Sequence, residues 1–329
     1  MQNKKKKKKE PYDRIRPILE YLTFADNYTK RIREILKNNN LWITKDDVSY
    51  GPHTLLKLAY LKYYFDIALE IAKNYFKNYV FIDTFAGSGL VSIKDTEYVS
   101  LGSSLLALIF KSRSGISFSK IIGVEIEEKK FPLLYRRLNL IKKELNLATD
   151  IKLIKGDINK KINDIANEIN QGDYGILFVD PEGMGIISLS DLSKILSRSK
   201  SIDVILNQSR VVYRLLGKAQ NGDSASLKRL EQYLPTLSNV QDPEKARHIL
   251  FTQFGKPIEA TAKIRDVNNK LKYELVLRVR STKSGAPWVK GMVEFANNIT
   301  TKYNGKIVLD ILDQIHGKGG RIDDFFKPS

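Results

Sequence analysis

The sequence predicts an α/β fold: a mostly parallel sheet, an antiparallel hairpin near its C-terminal end and a helical N-terminal extension. Three observations carry this expectation. Five short apolar runs alternate with helical stretches beyond residue 78, the pattern of strands buried on both faces and joined by right-handed crossovers. Further on, apolar and polar residues alternate on either side of an Asn-Asn turn, which reads as a hairpin. Before residue 51 the apolar spacing is helical.

Residues 1–10, MQNKKKKKKE, are expected to be disordered, because six like charges repel and nothing apolar holds them down. The run is either an arm that grips phosphates or a solubilising tail. It lacks the apolar core of a secretory signal, and no run in the chain approaches the roughly 20 apolar residues needed to span a bilayer, so a cytoplasmic location is expected. From Tyr12 to Asn38, Ile15, Ile18, Leu19 and Leu22, then Ile32, Ile35 and Leu36, recur at helical spacing until Asn38-Asn39-Asn40 breaks the run. Residues 11–50 form the extension, and residues 51–329 the main domain. After the turn Tyr50-Gly51-Pro52, a long helix is predicted from His53 to Lys77, with Leu55, Leu58, Leu61, Phe65, Leu69 and Ala72 on one stripe.

The predicted strands are Tyr79–Asp83, Lys120–Val124, Ile151–Ile154, Gly175–Val179 and Asp203–Leu206. The helices between them cover about Gly102–Lys111, Glu128–Leu145, Lys160–Asn170 and Leu189–Ser199. A helical insertion of about 210–254 ends in a helix opened by Asp242 as N-cap and Pro243 at its first position. Ile258, Ala260, Ala262 and Ile264 then alternate with polar residues, as do Leu271, Tyr273, Leu275, Leu277 and Val279 beyond the turn Val267-Asn268-Asn269. A helix over Trp288–Tyr303 follows, and Ile307–Leu312 reads as either strand or helix.

Composition narrows the function. The net charge is +18, and only six of those charges come from Lys4–Lys9, so the body is basic as well. A polyanionic partner accounts for this, nucleic acid ahead of acidic lipid. There is no cysteine, which excludes disulfides, thiolate metal sites and a thiol nucleophile. His53, His248 and His316 show no metal-ligand spacing, and no metal site is expected.

The strongest local signal is Phe81-Ile82-Asp83-Thr84-Phe85-Ala86-Gly87-Ser88-Gly89, an apolar strand ending in an acid and entering a glycine-rich turn. Such turns let backbone N–H groups approach a ligand at the carboxyl edge of a parallel sheet. No Lys-Ser/Thr follows, so this is not a phosphate-binding P-loop, and the third glycine of a dinucleotide fingerprint is missing. Glu125 ends the next strand; it can accept both hydroxyls of a ribose, or sit there as an acid favoured by a helix dipole. The long interval from Gly89 to Glu125 requires an insertion over about Ser92 to Ser104. Asp157, after the third strand, either caps the next helix or faces an adenine amino group. Asp180 ends the fourth strand, held extended by Pro181 and followed by Glu182 and Gly183. A burial-raised carboxyl at Glu182 could accept a proton. Asn207, Arg210 and Arg214 follow the fifth strand, and the arginines either receive a phosphate or begin a solvated helix.

The run Asp83–Gly89 is similar to motif I of S-adenosylmethionine-dependent methyltransferases, and five βα units closed by a hairpin resemble the Rossmann-like class I sheet of those enzymes. Asp180-Pro181 resembles the start of the Asp/Asn-Pro-Pro-aromatic motif of amino-group methyltransferases, with Glu182 in place of the second proline and Gly183 in place of the aromatic. With Gly102-Ser103-Ser104, Gly123-Val124-Glu125, Gly156-Asp157 and Asp180-Pro181-Glu182-Gly183-Met184, the chain resembles the three-Cys-motif partner protein family over roughly Gly51 to Val279. That resemblance implies a class I methyltransferase and a cysteine-motif protein as partner. It implies S-adenosyl-L-methionine over Asp83, Phe85, Ala86, Gly87, Ser88 and Gly89, with Glu125 on the ribose and Asp157 near adenine. Asp180 also borders the donor and, with Glu182, is the catalytic candidate; Pro181, Gly183, Asn207, Arg210 and Arg214 are the candidate substrate contacts. The expected acceptor is a nitrogen or ribose oxygen of nucleic acid, RNA ahead of DNA, since a C5-pyrimidine route needs a thiolate. The alternatives are a nucleic-acid-binding module with a vestigial donor site, a protein methyltransferase and, more remotely, a magnesium nuclease.

Overall fold

A computed structural model describes residues 11–181, 187–237, 242–282 and 286–318. The basic tail and the candidates Glu182 and Gly183 lie outside the described residues. Helix α1 (Pro11–Asn38) leads through β1 (Ser49–Tyr50) to α2 (Thr54–Ala72). There follow β2 (Tyr79–Asp83), β3 (Leu90–Ile93), β4 (Val99–Leu101), α3 (Ser103–Ile109), β5 (Lys120–Glu125), α4 (Lys130–Glu144), β6 (Asp150–Lys155), α5 (Ile158–Asn167) and β7 (Tyr174–Val179). The second half holds α6 (Ser193–Leu196), β8 (Ile202–Ser209), α7 (Val211–Gln220), α8 (Ser224–Tyr233), α9 (Pro243–Gln253), β9 (Ile258–Arg265), β10 (Leu271–Val279), α10 (Val289–Lys302) and α11 (Gly305–Ile315).

Seven strands form the central sheet in the order β6-β5-β2-β7-β8-β10-β9. Of these only β10 runs against its neighbours, antiparallel to both β8 and β9. This is the Rossmann-like, mostly parallel sheet closed by an antiparallel hairpin that the sequence pattern predicted. The chain starts at β2, winds outward through β5 and β6, then returns to β7 on the other side. The carboxyl ends of β2 and β7 therefore flank the switch point, where ligand sites of such sheets lie.

The continuous apolar runs read as strands because both sheet faces are covered. Phe81, Ile121, Phe178, Ile205 and Leu275 enter one core, with α2, α3, α4, α10 and α11. Ile82, Ile122, Leu177, Val204 and Val276 enter the other, against α5 and the helices between β7 and β9. Phe65 of α2 anchors the first core, its ring 4.8–5.5 Å from Phe81, Phe110 and Phe118. Emptying that position would cost ~3–5 kcal/mol.

Some boundaries differ from expectation for local reasons. Helix α2 stops at Ala72 rather than Lys77, because the chain must turn to enter β2. Strand β8 extends to Ser209, because β10 continues to pair with it as far as Tyr273 opposite Ser209. Asn207 thus sits in a strand, not after one. The stretch around Ile307 is helical, opened by the Asn304 side chain accepting from the N–H groups of Lys306 and Ile307. The insertion after Gly89 is the β3–β4 hairpin, which pairs with β1 of the extension in a small three-stranded sheet. Among the described residues no helix is long and apolar enough to cross a membrane.

Candidate active site

The glycine turn is held from both sides of β2. Thr84 N–H donates to the Phe178 carbonyl of β7 at 3.1 Å, and Ala86 N–H to the Val124 carbonyl of β5 at 2.9 Å. Gly87 and Gly89 take φ of +61° and +91°, the left-handed region that side chains with a Cβ avoid. A Cβ at Gly87 would meet nothing within 4 Å, so the outer face of the turn is open. A Cβ at Gly89 would press on Leu134 and Leu105 at 3.3 and 3.4 Å. Asp83 lies beneath the turn rather than on the cleft wall. Its Oδ2 accepts from the Ser103 and Ser104 hydroxyls at 2.6 and 2.7 Å. Burial pushes this carboxyl up to about 6, the serines hold it down and the charge of Asp180 adds to the rise.

The middle of the turn is tied to the extension. Arg137 of α4 is fully buried and uses all five of its N–H groups: two on Asp47 at 2.6 and 2.7 Å, and one each on the Leu41, Trp42 and Ser88 carbonyls. The Ser88 hydroxyl donates to the same Asp47. Burial pushes the Asp47 carboxyl up, but Arg137, Ser88 and the Thr44 amide together leave it below its ordinary value. Residues 41–50 are therefore built into the turn's foundation.

Glu125, at the end of β5, is 7% exposed and accepts from the Glu127 N–H at 2.8 Å. Burial raises its carboxyl above the ordinary value, against the pull of the Glu127 and Gly87 N–H groups and the Lys130 charge. At the far end, Asp180 follows β7. Its Oδ2 takes the Lys57 ammonium of α2, and its Oδ1 accepts from the Asn207 side-chain amide at 2.5 Å. The other amide atom, Asn207 Oδ1, is buried without a hydrogen-bond partner among the described residues. The Lys57 ammonium stands 5.9 Å from the centre of the Tyr273 ring. His53 is pushed down to about 4 by burial, then by the charges of Lys272 and Lys57, so its imidazole is neutral near pH 7. Its Nδ1 is also buried without a partner among the described residues.

One cleft joins these parts. It encloses about 560 Å³, within the roughly 300–1,000 Å³ usual for a small-molecule site. Phe85, Ala86, Gly87, Ser88, Gly89 and Glu125 line one end; Lys57, Asp180, Pro181, Asn207 and Tyr273 line the other. The open turn and the recessed carboxylate of Glu125 suit a nucleoside: backbone N–H donors on one side, a diol acceptor on the other.

No family model matches the chain, and no curated protein matches it in sequence. Solved structures similar to it include several methyltransferases. The methyltransferase domain of bacterial CtHen1 is 12% identical, with a TM-score of 0.36 over 67% of this chain and 98% of that one. The O-methyltransferase from Bacillus cereus, in complex with SAH, is 14% identical, with a TM-score of 0.38 over 80% and 100%. Trm1 from Pyrococcus horikoshii, with S-adenosyl-L-methionine, is 13% identical, with a TM-score of 0.39 over 70% of this chain and 56% of that one.

Not every candidate reaches the cleft. Asp157 caps α5, accepting from the Asn159 N–H at 3.0 Å, and is not part of the cleft wall. Arg210 and Arg214 are exposed at the start of α7, outside the wall. Among the described residues no three His, Asp or Glu side chains converge as metal ligands. Sequence reasoning missed Lys57, His53, Tyr273 and the Asp47–Arg137 pair. A lysine on an amphipathic helix carries no local mark of facing a cleft, and the pair is joined across 90 positions.

Proposed function

We propose that the protein is an S-adenosyl-L-methionine-dependent methyltransferase of nucleic acid, RNA ahead of DNA, with a nitrogen or ribose oxygen as acceptor. The observation that carries this is the continuity of the cleft, from the open glycine turn and Glu125 to Asp180. When bound, S-adenosylmethionine supplies an electrophilic sulfonium methyl. The Phe85–Gly89 backbone holds the donor, Glu125 accepts from its ribose hydroxyls, and Asp180 and Pro181 border the point of transfer. Catalysis then rests mainly on alignment of acceptor and methyl.

The nucleic-acid half of the proposal rests on the net charge of +18 and on exposed Arg210 and Lys272, joined backbone to backbone beside the acceptor end. Unpaired RNA fits better than a duplex, whose target would first have to be flipped out at a cost of a few kcal/mol. The string Asp180-Pro181-Glu182-Gly183-Met184 supports placing the protein with the three-Cys-motif partner family. Incubation with labelled donor and separate RNA, DNA and protein fractions tests the reading. Label in RNA supports it; label in protein alone, or in no fraction, overturns it.

A further inference from the structure

We infer that Lys57 is a catalytic residue and that the acceptor is a hydroxyl oxygen, the ribose 2′-hydroxyl of a single-stranded RNA, rather than a base nitrogen. The inference rests on the methyltransferase reading above and sharpens it.

Among the polar groups of the cleft wall, which also include His53 and Tyr273, Lys57 Nζ and the Asn207 carboxamide both bond to the Asp180 carboxylate. Two of their contacts are internal. Lys57 donates to Asp180 Oδ2, and Asn207 Nδ2 donates to Asp180 Oδ1. What these three side chains leave on offer is one kind of donor and one acceptor: further N–H bonds of the Lys57 ammonium, and Asn207 Oδ1, which has no partner among the described residues. A hydroxyl answers both at once. Its O–H donates to Asn207 Oδ1 and a lone pair accepts from Lys57. An exocyclic base amine does not, because its N–H bonds are donors only and would meet the ammonium, while its lone pair is delocalised into the ring. Lys57 also favours a developing oxyanion, as a fixed positive charge near the reacting atom does.

The step balances. The ribose oxygen bonds to the methyl carbon as the carbon–sulfur bond breaks, and that bond's electron pair stays on sulfur. As Lys57 passes one of its protons to Asp180 Oδ2, the hydroxyl turns its O–H from Asn207 to the nitrogen lone pair so freed and gives it that proton, so that Lys57 stays an ammonium. The carboxylate ends as carboxylic acid, to be emptied to solvent through the open cleft. Asn207 holds the hydroxyl but takes no proton. Exposed Arg210 and Lys272, the sequence neighbours of Ser209 and Tyr273 of the cleft wall, would take the flanking phosphates from outside it.

The test combines transfer with binding. Wild-type protein, Lys57→Met and Lys57→Arg are incubated with labelled donor and total RNA, and the label is located after digestion to nucleosides. The same proteins are titrated with S-adenosylhomocysteine, and with mixed-sequence RNA and DNA strands of equal length. Label is expected on ribose oxygen. Lys57→Met is expected to lose on the order of 10²–10⁴-fold in transfer, the span of general acid–base catalysis. Its affinity for S-adenosylhomocysteine should stay within about two-fold, which also reports that the cleft has folded, while its preference for RNA over DNA falls. Lys57→Arg should regain the RNA preference but not the transfer, because a guanidinium does not release its proton. Label on a base atom, wild-type transfer by Lys57→Met, or an unchanged RNA preference would overturn the inference while leaving a methyltransferase. Absence of S-adenosylhomocysteine binding by the wild type would overturn the methyltransferase reading itself.

Discussion

Replacing Asp47 by asparagine removes one charge from a pair in which both side chains are 0% exposed. The substitution keeps the volume, so the loss is electrostatic. Arg137 would keep its bonds to the Leu41, Trp42 and Ser88 carbonyls, but its guanidinium would be a buried charge without a counter-ion. Breaking such a pair costs ~3–5 kcal/mol, a large part of the ~5–15 kcal/mol that holds most proteins folded. Urea unfolding reads this directly as a lower midpoint at unchanged slope. The double variant Asp47→Leu with Arg137→Met removes both charges and should recover part of the stability; the Leu41, Trp42 and Ser88 carbonyls and the Thr44 N–H, which lose their partners, keep it below wild type. Donor affinity should not recover with it, because the Ser88 hydroxyl has lost Asp47 and the Ser88 carbonyl has lost Arg137. A loss below about 1 kcal/mol for Asp47→Asn, as expected of an exposed pair, would refute the reasoning. So would a double variant no more stable than either single one.

The two buried aspartates under the turn should give opposite pH dependences. Asp83 is raised from 3.8 to about 6, so between those values the folded state holds a proton that the unfolded state has lost. Stability attributable to Asp83 therefore falls as pH rises through that window, and Asp83→Asn should flatten urea midpoints between pH 4 and 6. Asp47 is lowered below 3.8, so its contribution is present above that pH and disappears on further acidification; Asp47→Asn should erase that acid limb. Gly89→Ala combines a φ of +91° with contacts at 3.3 and 3.4 Å. It should cost roughly 1–3 kcal/mol by thermal unfolding and weaken donor binding. Deleting residues 1–10 should weaken RNA binding and flatten the salt slope of log K by about 0.7 per lost phosphate contact; an unchanged slope would show that the tail does not touch RNA.

The fold was legible wherever burial on both faces left no room for polar residues. Strands β2, β5 and β7 carry no charged residue except Lys120 at the start of β5 and Asp83 and Glu125 at the ends of β2 and β5, and their ends fall within a residue of expectation. The hairpin was legible from its alternation and its Asn-Asn turn. The glycine turn at one end of the cleft was legible because a left-handed backbone demands glycine, and Gly87 and Gly89 announce it locally. At the other end Asp180, Pro181 and Asn207 were candidates from the sequence and line the cleft, but Lys57 was not: it lies 123 positions from Asp180 and looks like an ordinary surface charge until the fold brings the two together. Asp157 shows the converse: an acid at a strand end serves equally as a helix cap, and its side chain accepts from the Asn159 N–H. Arg210 and Arg214 were named from proximity in sequence to the fifth strand; both are exposed, and neither lines the cleft.

The central claim is that the bend after β2 seats a sulfonium nucleoside with its ribose on Glu125. Calorimetric titration of wild-type protein and Glu125→Ala with S-adenosylhomocysteine tests it most directly. Saturable binding by the wild type, weakened about 10–100-fold in the variant by the loss of ~1.5–3 kcal/mol of charge-assisted hydrogen bonding, is the predicted result. No binding by the wild type at millimolar ligand, or equal binding by both proteins, would contradict it.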